Sequence, residues 1–236
     1  MSSTSDSHIP GPGAFGPQTS VGARVVLRPI GAPLPLGFLA LAVGSLVLAG
    51  LQLHWISTTQ GHMVAVCLLA LVVPLQLISC LISMLARDTI AATGMGLLAG
   101  TWLSIGTVLH ASTPGAVSGG LGLLLISSAG ALLTVALAAV VTKPLATVVI
   151  GTTAVRFACA GVYELTDRPG WETATGVIGV VLTGLAWYAA LALLLENVSG
   201  RPLLPTLRPV SAATRTEALT NDLSDLAVEP GVRHPA

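Results

Sequence analysis

Charge is what this sequence has least of. Ten Lys or Arg and ten Asp or Glu are spread over 236 residues, 8% of the chain, and they cancel to a net charge of zero. A water-soluble domain carries about 25% charged residues, so most of this surface cannot be wet. The neutral balance suggests no nucleic-acid partner, which would call for a basic excess. Cysteine is scarce. Cys67, Cys80 and Cys159 each stand alone in an apolar run, which speaks against a disulfide framework or a metal set and leaves them as small hydrophobes. Aromatics make up 4% of the chain. No Asp or Glu lies deep in an apolar stretch, and neither an HExxH motif nor a well-spaced Ser-His or Cys-His arrangement occurs. Metal-assisted hydrolysis and nucleophilic catalysis therefore lack the residues that carry them. No enzyme activity, cofactor or metal is expected.

Apolar length is abundant. Hydrophobic residues make up 53% of the chain, and its mean hydropathy is +0.86. A bilayer core about 30 Å thick needs roughly 20 apolar helical residues. Six stretches meet that length, at about 34–53, 63–86, 89–110, 119–142, 144–163 and 173–195, each bounded by polar or turn residues. Unbroken apolar runs favour helices, because barrel strands would alternate. The expected fold class is an all-α integral membrane protein with six transmembrane helices in a bundle. Arg24, Arg28, Arg87, Lys143, Arg201, Arg208, Arg215 and Arg233 all fall on one side of this arrangement, and only Arg168 falls on the other. The positive-inside rule then places both termini in the cytoplasm of a cell-membrane protein. Residues 32–206 form the membrane domain. Residues 1–31 are expected to be a disordered cytoplasmic segment, and 207–236 a mostly disordered tail in which Leu219, Leu223 and Leu226 have helical spacing.

Glycine is the other abundance, with 26 residues. In lipid, helices associate through close backbone approach. The Ala92, Gly96, Gly100 and Ser104 stripe and the pairs Gly37/Gly44 and Gly176/Gly184 suit such packing. One residue interrupts the pattern. Between Lys143 and Glu164 only Arg156 is charged. It lies 13 residues past Lys143, or about 20 Å of helix, beyond the bilayer midplane. Glu164 is about 12 Å further on, too far for a pair within the helix. Two orientations are open. Arg156 can snorkel outward to headgroups or to Glu164 or Glu172 of a neighbouring element, or it can face the bundle interior. There a guanidinium would match a carboxylate with two parallel hydrogen bonds. Thr152, one turn earlier, would add a hydroxyl on the same face. His54, His62 and His110 map to the outer ends of spans one to three, as interfacial polar residues or as a pH-sensing cluster.

Three segments carry a resemblance. They are "APLPLGFLALAVGSL" from Ala32, "RDTIAATGMGLLAGTW" from Arg87 and "YAALALLLENVSGRPLLP" from Tyr188. Their order within six spans resembles the acetate uptake transporter family, the succinate–acetate permease group, over about residues 32–206. The family's Asn-Pro-Ala-Pro-Leu-Gly opening corresponds to Ala32 through Gly37, with Pro33, Pro35, Leu36 and Gly37 agreeing. Its Asn/Asp-Thr pair corresponds to Asp88 and Thr89, with Trp102 beyond. Its closing Tyr and Gly-Arg-x-x-Leu-Pro correspond to Tyr188, Gly200, Arg201, Leu204 and Pro205. The resemblance implies a channel-like permease for a small monocarboxylate such as acetate, proton-linked, in a homo-oligomer taken to be a hexamer. It places the vestibule at Pro33–Gly37 and the constriction at Leu41, Leu98 and Thr152, where the family has Phe, Tyr and Leu. The leading Asn is Ala32 here, and a family Glu falls on Ser83. Arg156 stands where the family is apolar. Two alternatives stay open: a non-transporting scaffold or degenerate homologue, and a carrier of another small solute such as ammonium.

Overall fold

The computed structural model describes residues 31–199 and 203–207. Among these residues the regular structure is entirely helical, and six helices are long and apolar enough to cross a membrane. Helix α1 is Leu34–Gln52. The second span is composite: a 3₁₀ turn Thr58–Gln60, then α2 Gly61–Cys67, a π-helical segment Leu68–Val72, and α3 Val73–Leu85. Helices α4 Thr89–Ala111, α5 Gly119–Ala139, α6 Pro144–Thr166 and α7 Pro169–Ser199 complete the set. Residues 1–30, 200–202 and 208–236 lie outside the described residues, and with them the expected terminal disorder, the Leu219–Leu226 helix and most of the orientation-setting arginines.

Local chemistry explains the boundaries. Pro35 and Pro144 sit in the first turns of α1 and α6, where a missing N–H leaves no helical hydrogen bond unmade. Asp88 caps α4 by accepting from the Ala91 N–H at 3.1 Å, and Ser118 caps α5 through the Leu121 N–H at 3.4 Å. Two spans depart from the hydropathy reading. The second begins at Thr58, because polar Thr58–His62 takes helical geometry before the apolar run starts. The sixth runs Pro169–Ser199. Its 31 residues make about 46 Å of helix, longer than a bilayer core is thick.

Each span packs against its sequence neighbours, and α7 packs against α1, so the six spans close into a ring. Residues 31–33 and 203–207 lie at one end of the ring with the turns at 86–88 and 140–143. We call this the terminal end. Segments 53–60, 112–118 and 167–168 form the opposite, loop end. The outer surface is apolar, with Leu77, Leu81, Leu133, Leu137, Val177 and Val181 all exposed, as a lipid-facing surface requires. Glycine sets the closest contact on the inside. A Cβ on Gly37 would overlap Met95 Sδ and lie 2.9 Å from Ser79 Oγ, so the PLPLG turn can sit against α3 and α4 only without a side chain there. The Ser79 hydroxyl fixes that approach by donating to the Pro33 carbonyl at 2.8 Å.

Candidate functional site

Arg156 takes the inward orientation and is 1% exposed. Its guanidinium reaches across the ring to α1 and α7. Nε points at the Thr175 carbonyl at 3.5 Å, one terminal nitrogen at Ser45 Oγ at 3.5 Å, and the other at the Ser45 carbonyl at 3.5 Å and Gln52 Oε1 at 3.3 Å. The guanidinium carbon lies 5.6 Å from the Trp102 ring centroid, within the range of a cation–π contact. Trp102 in turn meets Phe157 edge to face at 5.8 Å. Gly179 makes this placement possible. A Cβ there would come within 2.9 Å of Arg156 Nε and 3.0 Å of Ala49 Cβ.

These partners are all neutral, and the contacts are long. Charge-assisted N–H···O bonds settle near 2.7–2.9 Å. An Arg is charged in any protein site, and at a helix centre its insertion costs about 2.5–3.5 kcal/mol even on translocon scales. The structure therefore keeps a cation inside the bundle without a carboxylate among its described hydrogen-bond partners.

The guanidinium forms the floor of a cavity of about 100 Å³ that opens at the loop end, with Gln52, Phe157, Tyr163, Glu164, Glu172 and Thr175 in its walls. Glu164 does not reach down to Arg156. Its Oε2 accepts the Ser118 N–H at 2.6 Å, at the start of α5. A second cavity of about 160 Å³ lies at the terminal end between Ala32, Pro35, Lys143, Pro144, Glu196 and Thr206. Lys143 there is ion-paired with Asp88, and the Tyr188 hydroxyl donates to the Pro205 carbonyl at 2.8 Å. Between the two cavities the ring is filled by Leu41, Leu98, Trp102, Leu132 and Phe157, all essentially unexposed. Among the described residues, the interior thus presents a vestibule at each end, the buried cation Arg156 and a dry closure between them.

The sequence-predicted residues divide accordingly. Leu41 and Leu98 belong to the one apolar cluster that closes the interior. Thr152 does not join them or Arg156. It is half-buried, bonds back to the Val148 carbonyl at 2.8 Å, and lines an outer groove with Val155, Val177 and Val181. Its neighbour Thr153, 100° further round the helix, is the fully buried one. Pro35 lines the terminal cavity, and Pro33 and Gly37 are buried beside it, while Leu36 is half-buried. Asp88 both caps α4 and pairs with Lys143, whereas Thr89 is exposed. His62 and His110 meet edge to face at 5.4 Å on the surface. The residues that sequence reasoning missed are Ser45, Gln52, Thr175 and, most plainly, Gln76. Gln76 is 0% exposed, and neither amide atom has a partner. A lone amide in the run "LVVPLQLISCL" was the available signal, since polar groups at membrane depth mark pathways.

A family model described as the GPR1/FUN34/yaaH family matches residues 13–205. The fold is similar to a solved structure titled "Structure of the bacterial acetate channel SatP", with a TM-score of 0.67 and 18% identity, covering 75% of this chain and 98% of that one. At that identity the likeness speaks to the fold. No curated protein sequence matches this chain. The matched family and the aligned structure are of channel or transporter type, not enzymes.

Proposed function

As the chain belongs to the GPR1/FUN34/yaaH family, a group of acetate channels and transporters, we propose that it passes a small monocarboxylate, acetate or a close relative, through the centre of each protomer, linked to a proton. The observation that carries the reading is Arg156: a buried, permanently charged guanidinium with neutral partners at the floor of an open vestibule. Such a group attracts an anion, and a carboxylate satisfies its parallel N–H pair. A permeant cation such as ammonium would be repelled at the same point. The dry closure of Leu41, Leu98 and Trp102 must part for passage, as in gates that work by excluding water. No described acidic side chain lies in that closure, so the acid itself is the simplest carrier of the proton. The distribution of Arg and Lys supports cytoplasmic termini in the cell membrane. The homo-oligomer implied by the resemblance, a hexamer with one path per subunit, completes the reading.

Uptake of labelled acetate into proteoliposomes tests it. Wild-type chain should accumulate acetate when the outside is more acidic than the lumen. Arg156→Leu should lower that uptake at least tenfold, in keeping with the loss of a charge-assisted contact worth about 1.5–3 kcal/mol. Uptake no faster than in protein-free vesicles would favour the non-transporting scaffold instead. Uptake unchanged by Arg156→Leu would remove the guanidinium from the path.

A further inference from the structure

A second set of unmet hydrogen-bonding groups lies deeper in the bundle. Gln76 carries a free Nε2 and a free Oε1, and Trp102 a free Nε1–H; all three are fully buried. An unpaired buried amide costs about 1–3 kcal/mol, so a chain that keeps one in a membrane core retains it against stability. The backbone helps to place it there. The π-helical segment Leu68–Val72 precedes α3, with Pro74 at the start of α3. Pro74 lacks an N–H and would crowd the Ala70 carbonyl in a plain α-helix, and π-helical turns of this kind are frequent at functional sites. Beyond them Gln76, Ser79 and Ser83 line the buried side of α3, while Leu77, Ile78 and Leu81 stay exposed.

The packing fixes the level of the amide. Gly37 lies against Ser79 and Gly44 against Val72, which sets Gln76 beside Ala40–Leu41 on α1. Gly96 lies against Cys80 and Gly106 against Leu69, which sets it beside Ala99–Gly100 on α4, within a turn of Trp102. The guanidinium sits higher, where Gly179 meets both Ala49 and Arg156. Four residues of α1 separate Leu41 from Ser45, which the guanidinium also meets, and nine separate Ala40 from Ala49, so the two levels lie about 6–13 Å apart along the axis.

We propose that Gln76, with the Trp102 indole N–H, is a binding station for the neutral carboxylic acid, distinct from the anion station at Arg156. The match is chemical. A protonated carboxyl has one carbonyl oxygen, which can accept from Gln76 Nε2 and Trp102 Nε1, and one O–H, which donates to Gln76 Oε1. A carboxylate offers no donor for Oε1 and would leave that acceptor unpaired in the dry part of the bundle. The guanidinium has the opposite preference, five donors and no acceptor. An acid arriving from the terminal end therefore rests at Gln76 with its proton. In the vestibule its O–H bond breaks, the electron pair stays on the carboxylate oxygen that pairs with Arg156, and the proton passes to water. The reverse sequence serves the opposite flux. This inference rests on the proposed transport reading, but its test does not require flux.

Acetamide, a neutral isostere with a carbonyl acceptor and N–H donors but no charge at any pH, probes the station. Thermal unfolding of the detergent-solubilised full chain is titrated with acetamide and, separately, with acetate at neutral pH. Acetamide should stabilise wild type and Arg156→Leu alike, and Gln76→Leu should lose the effect, its apparent affinity falling about tenfold or more with the hydrogen bonds removed. Acetate should stabilise wild type and Gln76→Leu but not Arg156→Leu. Without ligand, Gln76→Leu should melt at or above wild type, since it removes an unsatisfied amide, so loss of binding is not loss of fold. Acetamide stabilisation that survives Gln76→Leu, or none in wild type, overturns the station. If proteoliposome uptake fails while acetamide binding depends on Gln76, the transport reading falls and the station stands.

Discussion

At the residue scale, position 179 controls the anion site without touching the permeant. The guanidinium packs directly on the space where a side chain would be, 2.9 Å from a built Cβ. Gly179→Ala must therefore displace either Arg156 or Ala49, and the longer, more adaptable arginine is the one that gives. Its contacts to Ser45 and Gln52, already 3.3–3.5 Å long, are then lost. Labelled-acetate uptake by Gly179→Ala should show an apparent KM raised about tenfold, the equivalent of one charge-assisted hydrogen bond, with the protein still folded and its maximal rate little changed. Arg156→Lys asks a different question. It keeps the charge but not the planar fork, so it should fall between wild type and Arg156→Leu. If Lys matched Arg, the site would be reading charge alone. Legibility at this scale was poor for a physical reason. Amphipathic periodicity reveals which side of a helix faces inward in water, but here lipid and interior are both apolar, so both faces of α6 look alike in sequence. Thr152 and Thr153 are chemically identical and adjacent, and a carry-over one position out exchanges an outer groove for the core. Arg156 was visible as an anomaly, but the partners that decide its direction, Ser45, Gln52 and Thr175, lie on two other helices.

At the scale of elements, hydropathy suffices to show six helices because each must be about as long as the bilayer is thick. The composite nature of the second span was not legible, since nothing in "VCLLALVVPLQL" except Pro74 marks a π segment. Turn chemistry was. Asp88 was expected where the family has its Asn/Asp-Thr pair, and it accepts the Ala91 N–H while pairing with Lys143 across the terminal mouth. The two roles separate experimentally. Asparagine caps as well as aspartate, so Asp88→Asn removes only the ion pair. That pair is about a quarter exposed on each side and contributes at most about 1 kcal/mol. Asp88→Ala removes the cap as well and should cost about 1 kcal/mol more. Thermal melts in detergent should therefore rank wild type, Asp88→Asn and Asp88→Ala in that order. Equal melting of all three would mean that the turn is held by other contacts, such as the Asp88 N–H donating to the Ser83 carbonyl at 2.9 Å.

At the scale of the whole molecule, the ring of six spans leaves several glycines with nothing beside them. A Cβ on Gly100, Gly130, Gly151 or Gly184 would meet no atom within 4 Å, although each sits well inside a span. Glycine in a helix interior costs about 0.5–1 kcal/mol against alanine, and a lipid-facing position gives nothing in return, whereas a neighbouring helix gains close approach. These positions are where a second protomer should seat, and the homo-oligomer proposed above needs such faces. The groove lined by Thr152, Val155, Val177 and Val181 beside Gly151 is shallow and apolar, a surface against which a neighbour's helix can lie in a closed cyclic assembly with unlike surfaces in contact. Native mass spectrometry of the chain in mild detergent should give a single closed oligomer, six copies by the family resemblance. Gly151→Phe, which fills that groove from within, should shift the distribution to monomers and small fragments of the ring while leaving helix content unchanged by circular dichroism. Because each protomer holds its own Arg156 and its own closure, the dissociated variant should retain acetate binding per chain. Loss of binding together with the oligomer would mean instead that the path is completed only between protomers.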